Sequence, residues 1–357
     1  MNRFYVILLF LLTVLPWEIS CQHHPDEKYS LKNSDQPEAL IQVEERRINR
    51  IQQTSHAKPS ELTKTYNLKK IQQTLIRYRP HVAIVSYFVE NAVIHLHFIH
   101  RDTFYYQAIP YPETLKQDIQ TLNDQIDGKS PENYTTYVQA SERIYKTLIA
   151  PIAELGNGFE WLIIPDSTFD ELNFSALIVP PAPTTFPPES RGWVQANFLA
   201  DDVTISYGLS MLLVLETLTH PEHTHATYLV SDSTSALVSF FQQNQLIPVR
   251  DTIPAMIGHI KSESTLPAKA NLLTIEDALE NIVAAYGNAY HKGVKTILLT
   301  TSNPSEQTYE SLMYDFYCYY LEMRAVPYAF RSAQQNFMGH PDYSAPKYWA
   351  KYKVWGL

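Results

Sequence analysis

The stretch GVKTILLTTSNPSEQTYESLMYDFYCYYLEMRAVPYAFRSAQQNFMGHPDYSAPKYWAKYKVWGL, Gly293 to Leu357, decides the fold. It opens on an unbroken apolar run, Val294 to Thr300, of the kind found in a strand covered on both faces. Ser302-Asn303-Pro304-Ser305 makes a polar turn. Leu312, Phe316, Tyr320 and Met323 then recur at helical spacing, with Tyr314, Tyr317, Cys318 and Leu321 as a second apolar stripe. The two stripes predict a buried helix over Tyr309 to Arg324. Pro327 can open a second helix, Tyr328 to Phe337, and Gly339 ends it. The chain closes on Tyr348 to Trp355, an aromatic-rich segment that reads as a strand. Trp349 and Trp355 should then face the same side, under the Tyr309 to Arg324 helix.

Working back toward the N-terminus, a strand over Trp161 to Ile164 leaves its sheet at Pro165. Two helices precede it, Tyr111 to Asp127 and Asn133 to Glu154, around the loop Gly128-Lys129-Ser130-Pro131. Before them come three strands, Val82 to Val89, Ala92 to His100 and Thr103 to Ile109. Glu90-Asn91 and Arg101-Asp102 join them, so a β-meander is the natural reading. A helix over Leu68 to Tyr78, stopped by Pro80, opens the folded domain near Asn67.

The chain begins differently. Asn2-Arg3 and the apolar run Phe4 to Leu15 have the plan of a signal peptide, and the run is too short to span a bilayer of about 20 residues. Ile19-Ser20-Cys21-Gln22 resembles a bacterial lipobox, with Glu18 where that box prefers an aliphatic residue. Residues 1–21 are therefore expected to direct export. The product would be a periplasmic or outer-membrane-anchored lipoprotein attached through lipidated Cys21, or a secreted protein after ordinary cleavage. Residues 22–66 read as a polar tether with one helix, Glu38 to about Thr54. With only Cys21 and Cys318 in the chain, the fold rests on its core and not on disulfides.

Composition narrows the function. A net charge of −9 supplies no phosphate-neutralising patch, which argues against nucleic acid as a partner. Ten glycines form neither GxxxxGK nor GxGxxG, and no cofactor is implied.

Several stretches resemble the CHAT family, caspase- and separase-like cysteine-peptidase domains. The family's tail, a strand followed by "ALRxAQ" and "PxYWAxFxxxG", is matched by AFRSAQ (Ala329 to Gln334) and APKYWAKYKVWG (Ala345 to Gly356). Its "LYxxLIxPL" and "LIIVPDGPLxxLPFxAL" resemble IYKTLIAPI (Ile144 to Ile152) and EWLIIPDSTFDELNFSALI (Glu160 to Ile178). Its "ISYAPSxxxL" resembles the step from Val203 to Leu218. The resemblance covers Asn67 to Leu357. It implies an α/β fold, a caspase-like sandwich of a mostly parallel sheet between helices, here with an N-terminal antiparallel β-meander.

It also implies a cysteine–histidine pair, written in the family as "HxATHG" and "LSACxTG". In this chain the first place holds at best MIGHIKSES, with His259, and the second falls near KANLLTIEDALENI, Lys269 to Ile282, which has no cysteine. Cys318, inside a predicted helix, has its backbone N–H groups committed and cannot form an oxyanion hole. The reading is a pseudo-peptidase that binds or scaffolds an unknown protein partner. Two alternatives stand beside it. One is a working cysteine endopeptidase using His259 and Cys318. The other is a metal-binding protein using the loop with His220, His223 and His225 beside Glu222. His95 and His97 share a strand face, but His100 points to the other, and no cysteine or carboxylate completes a zinc set.

Overall fold

The structure, a computed structural model, describes residues 36–55, 67–182, 190–219, 229–230, 257–260, 272–275, 282–291, 294, 296–300, 306–323 and 325–357. Helix α1 (Gln36–Ser55) is followed by α2 (Leu68–Tyr78), which Asn67 caps by accepting from the Lys70 N–H at 2.9 Å. The meander then forms as β1 (Val82–Glu90), β2 (Val93–Ile99) and β3 (Phe104–Pro110). Its first turn is Asn91-Ala92, at φ 51° and 59°, the left-handed pair that a two-residue hairpin turn requires. Helices α3 (Leu115–Ile126) and α4 (Tyr134–Leu148) come next, then β4 (Glu160–Ile164), α5 (Leu199–Asp202), β5 (Thr204–Tyr207) and α6 (Met211–Thr219). The chain continues through β6 (Leu229–Val230), β7 (Ile257–Ile260), β8 (Leu272–Ile275), α7 (Ile282–His291) and β9 (Thr296–Thr300). It ends with α8 (Glu306–Met323), α9 (Val326–Met338), α10 (Pro346–Trp349) and β10 (Tyr352–Trp355).

Among the described residues the strands make one sheet in the order β3-β2-β1-β4-β5-β10-β9-β8-β7-β6. Strands β1, β4, β5 and β10 run parallel, as do β6, β7, β8 and β9. The two blocks meet at β10 and β9, which are antiparallel. Their carboxyl ends therefore lie at opposite edges of the sheet. Side chains alternate along β1, and both faces are covered. Ser86 accepts from Arg47 of α1 on one face, while Tyr87 donates to the Leu148 carbonyl at the end of α4 on the other. The expected class, a mostly parallel sheet between helices preceded by an antiparallel meander, is the one observed.

Two expectations need correction. The helix assigned to a tether is part of the domain. Leu40, Ile48 and Ile51 are buried in the same core as the strands, so the compact unit begins at Asp35 and not near Asn67. In the tail, Trp349 is not on the last strand. Pro346 stands in the first turn of α10, where its missing N–H costs nothing, and Trp349 closes that turn. Trp349 and Trp355 consequently meet different neighbours, Phe198 in one case and Tyr207 with Tyr286 in the other. Helix α8 reaches β10 through Tyr309, whose ring lies 5.8 Å from that of Tyr352. Nor is α8 buried all round: Leu312, Phe316 and Tyr320 are buried as expected, but Tyr314 and Cys318 are half-buried and Met323 is exposed.

Candidate functional site

In an open α/β sheet, ligands usually bind in the crevice outside the carboxyl ends of parallel strands. In the first block that crevice is already filled. β5 leaves the sheet at Gly208, where a Cβ would come within 2.8 Å of the Ile164 and Val214 side chains, so a larger residue there would force them to shift. Ser210 follows, and its hydroxyl donates to Glu44 Oε2 at 2.7 Å. Glu44 Oε1 accepts from Arg47 Nη1 at 2.5 Å. The same guanidinium donates to Ser86 Oγ at 2.9 Å, to the Tyr87 carbonyl, and to the Ile164 carbonyl at 3.4 Å. Glu44 is fully buried and the Arg47 side chain is 11% exposed. One ion pair from α1 thus ties together the middle of β1, the end of β4 and the segment after β5. The sequence reading missed it. Its signal was Glu44 and Arg47 standing inside the apolar stripe Leu40, Val43, Ile48 and Ile51, where charges are not expected.

The second block holds the places where the resemblance locates the chemistry. β7 and β8 are adjacent and parallel, and His259 lies directly opposite Thr274 in their register. The backbone therefore sets the strand of His259 beside the stretch assigned to the nucleophile, Lys269 to Ile282, of which Leu272 to Ile275 is described. The helix start expected after Thr274 falls outside the described residues. So do Cys21, His220, His223 and His225.

Cys318 sits in the middle of α8. Partial burial raises its thiol pKa, Tyr314 lowers it through a hydrogen bond, and the Asp315 carboxylate raises it; the net shift is upward. A raised thiol pKa reduces the thiolate fraction and hence the reactivity.

Among the described residues, no group of three or more histidine, cysteine, aspartate or glutamate side chains could hold a metal ion. His95 and His97 line one cleft under α1, with Arg46, Phe88 and Glu90. His95 shares a 2.8 Å hydrogen bond with the Tyr106 hydroxyl. Both ring nitrogens of His97 are buried without a hydrogen-bond partner. Burial, the Arg47 charge and His95 together push its pKa down to about 3, so its ring stays neutral. His100 points to the other face as expected, toward the Pro80 carbonyl at 3.1 Å.

At the opposite ends of the strands, Glu160 opens β4. It is buried, and its Oε1 has no hydrogen-bond partner. Burial raises its pKa to about 7 despite the opposing Arg79 charge.

Comparison with known proteins gives a distant likeness of chain path. Two crystal structures of the Saccharomyces cerevisiae separase–securin complex are similar, each at a TM-score of 0.49 and 7% sequence identity. They cover 92% and 81% of this chain, and 34% and 31% of the matched chain. The chain thus spans about a third of the length of the chains it matches. No family model matches, and no curated protein matches.

Proposed function

We propose that this chain is an exported, caspase-like domain that works by binding a protein partner and not by cutting one. The composition of the second place carries the reading: β8 lies beside the strand of His259, and the stretch around it, Lys269 to Ile282, holds no cysteine. Without a thiol there, no cysteine–histidine pair can form at this place. Cys318 does not replace it, because its thiol lies on a helix whose amides are already bonded and its pKa is raised. Export and attachment rest on the leader and on Cys21.

Iodoacetamide labelling of the folded full-length protein, followed at the Cys318 peptide and set beside a denatured sample, tests the thiol. Slow native labelling is expected. Native labelling as fast as in denaturant would favour the active-peptidase alternative. For the anchor, Cys21→Ala should release the protein from the membrane fraction. A parent protein already soluble would contradict lipidation. Metal retained by the purified protein and lost in His223→Ala would favour the metal-binding alternative instead.

A further inference from the structure

Away from both strand-end crevices, the end of α3 stands over the start of β10, and between them lies a cleft of about 90 Å³. Asn123 and Asp127 come from α3 and its cap, and Lys129 from just beyond. Glu171 lies after β4, and Lys351 and Lys353 belong to the β10 segment. Asn173 fixes one wall by donating from Nδ2 to the Ala350 carbonyl at 2.7 Å.

Three observations give the cleft its chemistry. Lys353 is only 5% exposed, and its Nζ donates to the Asp170 carbonyl at 2.6 Å and lies 5.5 Å from the Tyr207 ring centre. An ammonium has three donors, and this contact uses one. The Asn123 Nδ2 is buried with no hydrogen-bond partner, although a buried amide donor left unpaired costs about 1–3 kcal/mol. Finally, the lining carries three lysines beside the carboxylates of Asp127 and Glu171, with the Asp170 carboxylate also acting on Lys353. Asp127 is itself engaged by Lys129 at 2.6 Å.

We propose that this cleft binds a small monocarboxylate, whose oxygens accept from Lys353, Lys351 and the Asn123 amide. With the carboxylates of Asp127, Glu171 and Asp170 close by, a phosphate dianion would be repelled more than a single carboxylate charge, and no arginine lines the cleft to clasp it. Burial also pulls the Lys353 pKa down to about 8, against the Asp170, Glu171 and Asp127 charges that raise it. A bound carboxylate favours the ammonium form, so binding should weaken as pH rises past about 8. The site is independent of the peptidase question.

The test is calorimetric titration of the full-length protein with acetate and, separately, with inorganic phosphate, at constant ionic strength. Acetate should bind, and Lys353→Met, which keeps the chain length without the charge, should weaken it about tenfold or more, the scale of one charged hydrogen bond. Asn123→Leu reads the same site without touching β10 and should also weaken it. Lys116→Ala, on the exposed side of α3, should bind as the parent does. No acetate binding, equal binding in Lys353→Met and Asn123→Leu, tighter binding of phosphate, or an affinity unchanged above pH 8 would each overturn the proposal.

Discussion

The two parallel blocks of the sheet treat their carboxyl ends in opposite ways. Across the middle of β1, at the end of β4 and beyond β5, α1 inserts a buried ion pair, and Arg47 gives its donors to Glu44, Ser86 and two strand carbonyls. At the ends of β7 and β8, the backbone register sets His259 across from Thr274. The first edge is held by an internal anchor. The second is described only by its backbone register. The general lesson is that a sheet provides places, and side chains decide whether a place does chemistry or holds the fold together.

The largest effect should come from breaking the anchor. Arg47→Met would leave the fully buried Glu44 without its cation, and removing one partner of a buried pair costs about 3–5 kcal/mol. That is a large share of a typical domain's stability of roughly 5–15 kcal/mol. Denaturant unfolding checks it. A midpoint within error of the parent's would show that α1 is peripheral to the first block.

Next comes the acid limb. His97 has a folded pKa near 3, well below the ordinary histidine value of 6.5, so the unfolded chain binds its proton first. The neutral ring contributes stability that is fully present above pH 6.5 and is lost as pH falls toward 3. His97→Phe should gain on the parent over that window, by up to about 4 kcal/mol at its acid end. A difference between the two proteins that does not change from pH 7 to pH 4 would contradict the buried, neutral histidine.

A smaller effect is expected at the amino end of β4. Glu160 has a folded pKa near 7 against an ordinary value of 4.5, so its contribution is present below pH 4.5 and lost as pH rises through 7. Glu160→Gln, which cannot ionise, should therefore be the more stable protein at pH 8 relative to its standing at pH 4.5, by on the order of 3 kcal/mol. Parallel stability–pH curves for the two proteins would rule this out. His97 stands on β2 of the meander, and Glu160 opens β4, at the opposite strand end from the anchor.

Much of this arrangement was legible in the sequence, and the exceptions have physical reasons. The meander could be read because Arg101-Asp102 and the residues around Asn91 are turn formers between alternating strands. The α9 helix could be read because Pro327 and Gly339 mark its ends. Trp349 was misplaced because aromatic richness reads as strand, while Pro346, the fourth residue of YSAPKYW, was the local mark of a helical turn. The second stripe of α8 was taken as buried because tyrosine counts as apolar. Its hydroxyl also suits the surface, and Tyr314 stays half-buried. The anchor was missed for a deeper reason. Nothing local says what a charged pair in an apolar stripe will meet, and Ser86, Ile164 and Ser210 lie 39 to 166 residues from their α1 partners in sequence.

The central proposal is that this domain binds a protein partner without cutting it. The most direct measurement is cleavage of a diverse peptide library by the purified full-length protein, with Cys318→Ala and His259→Ala run beside it. The account predicts that any residual cleavage in the parent preparation is the same in both variants and persists after thiol alkylation. Cleavage that requires reducing conditions and disappears in Cys318→Ala and in His259→Ala would contradict it.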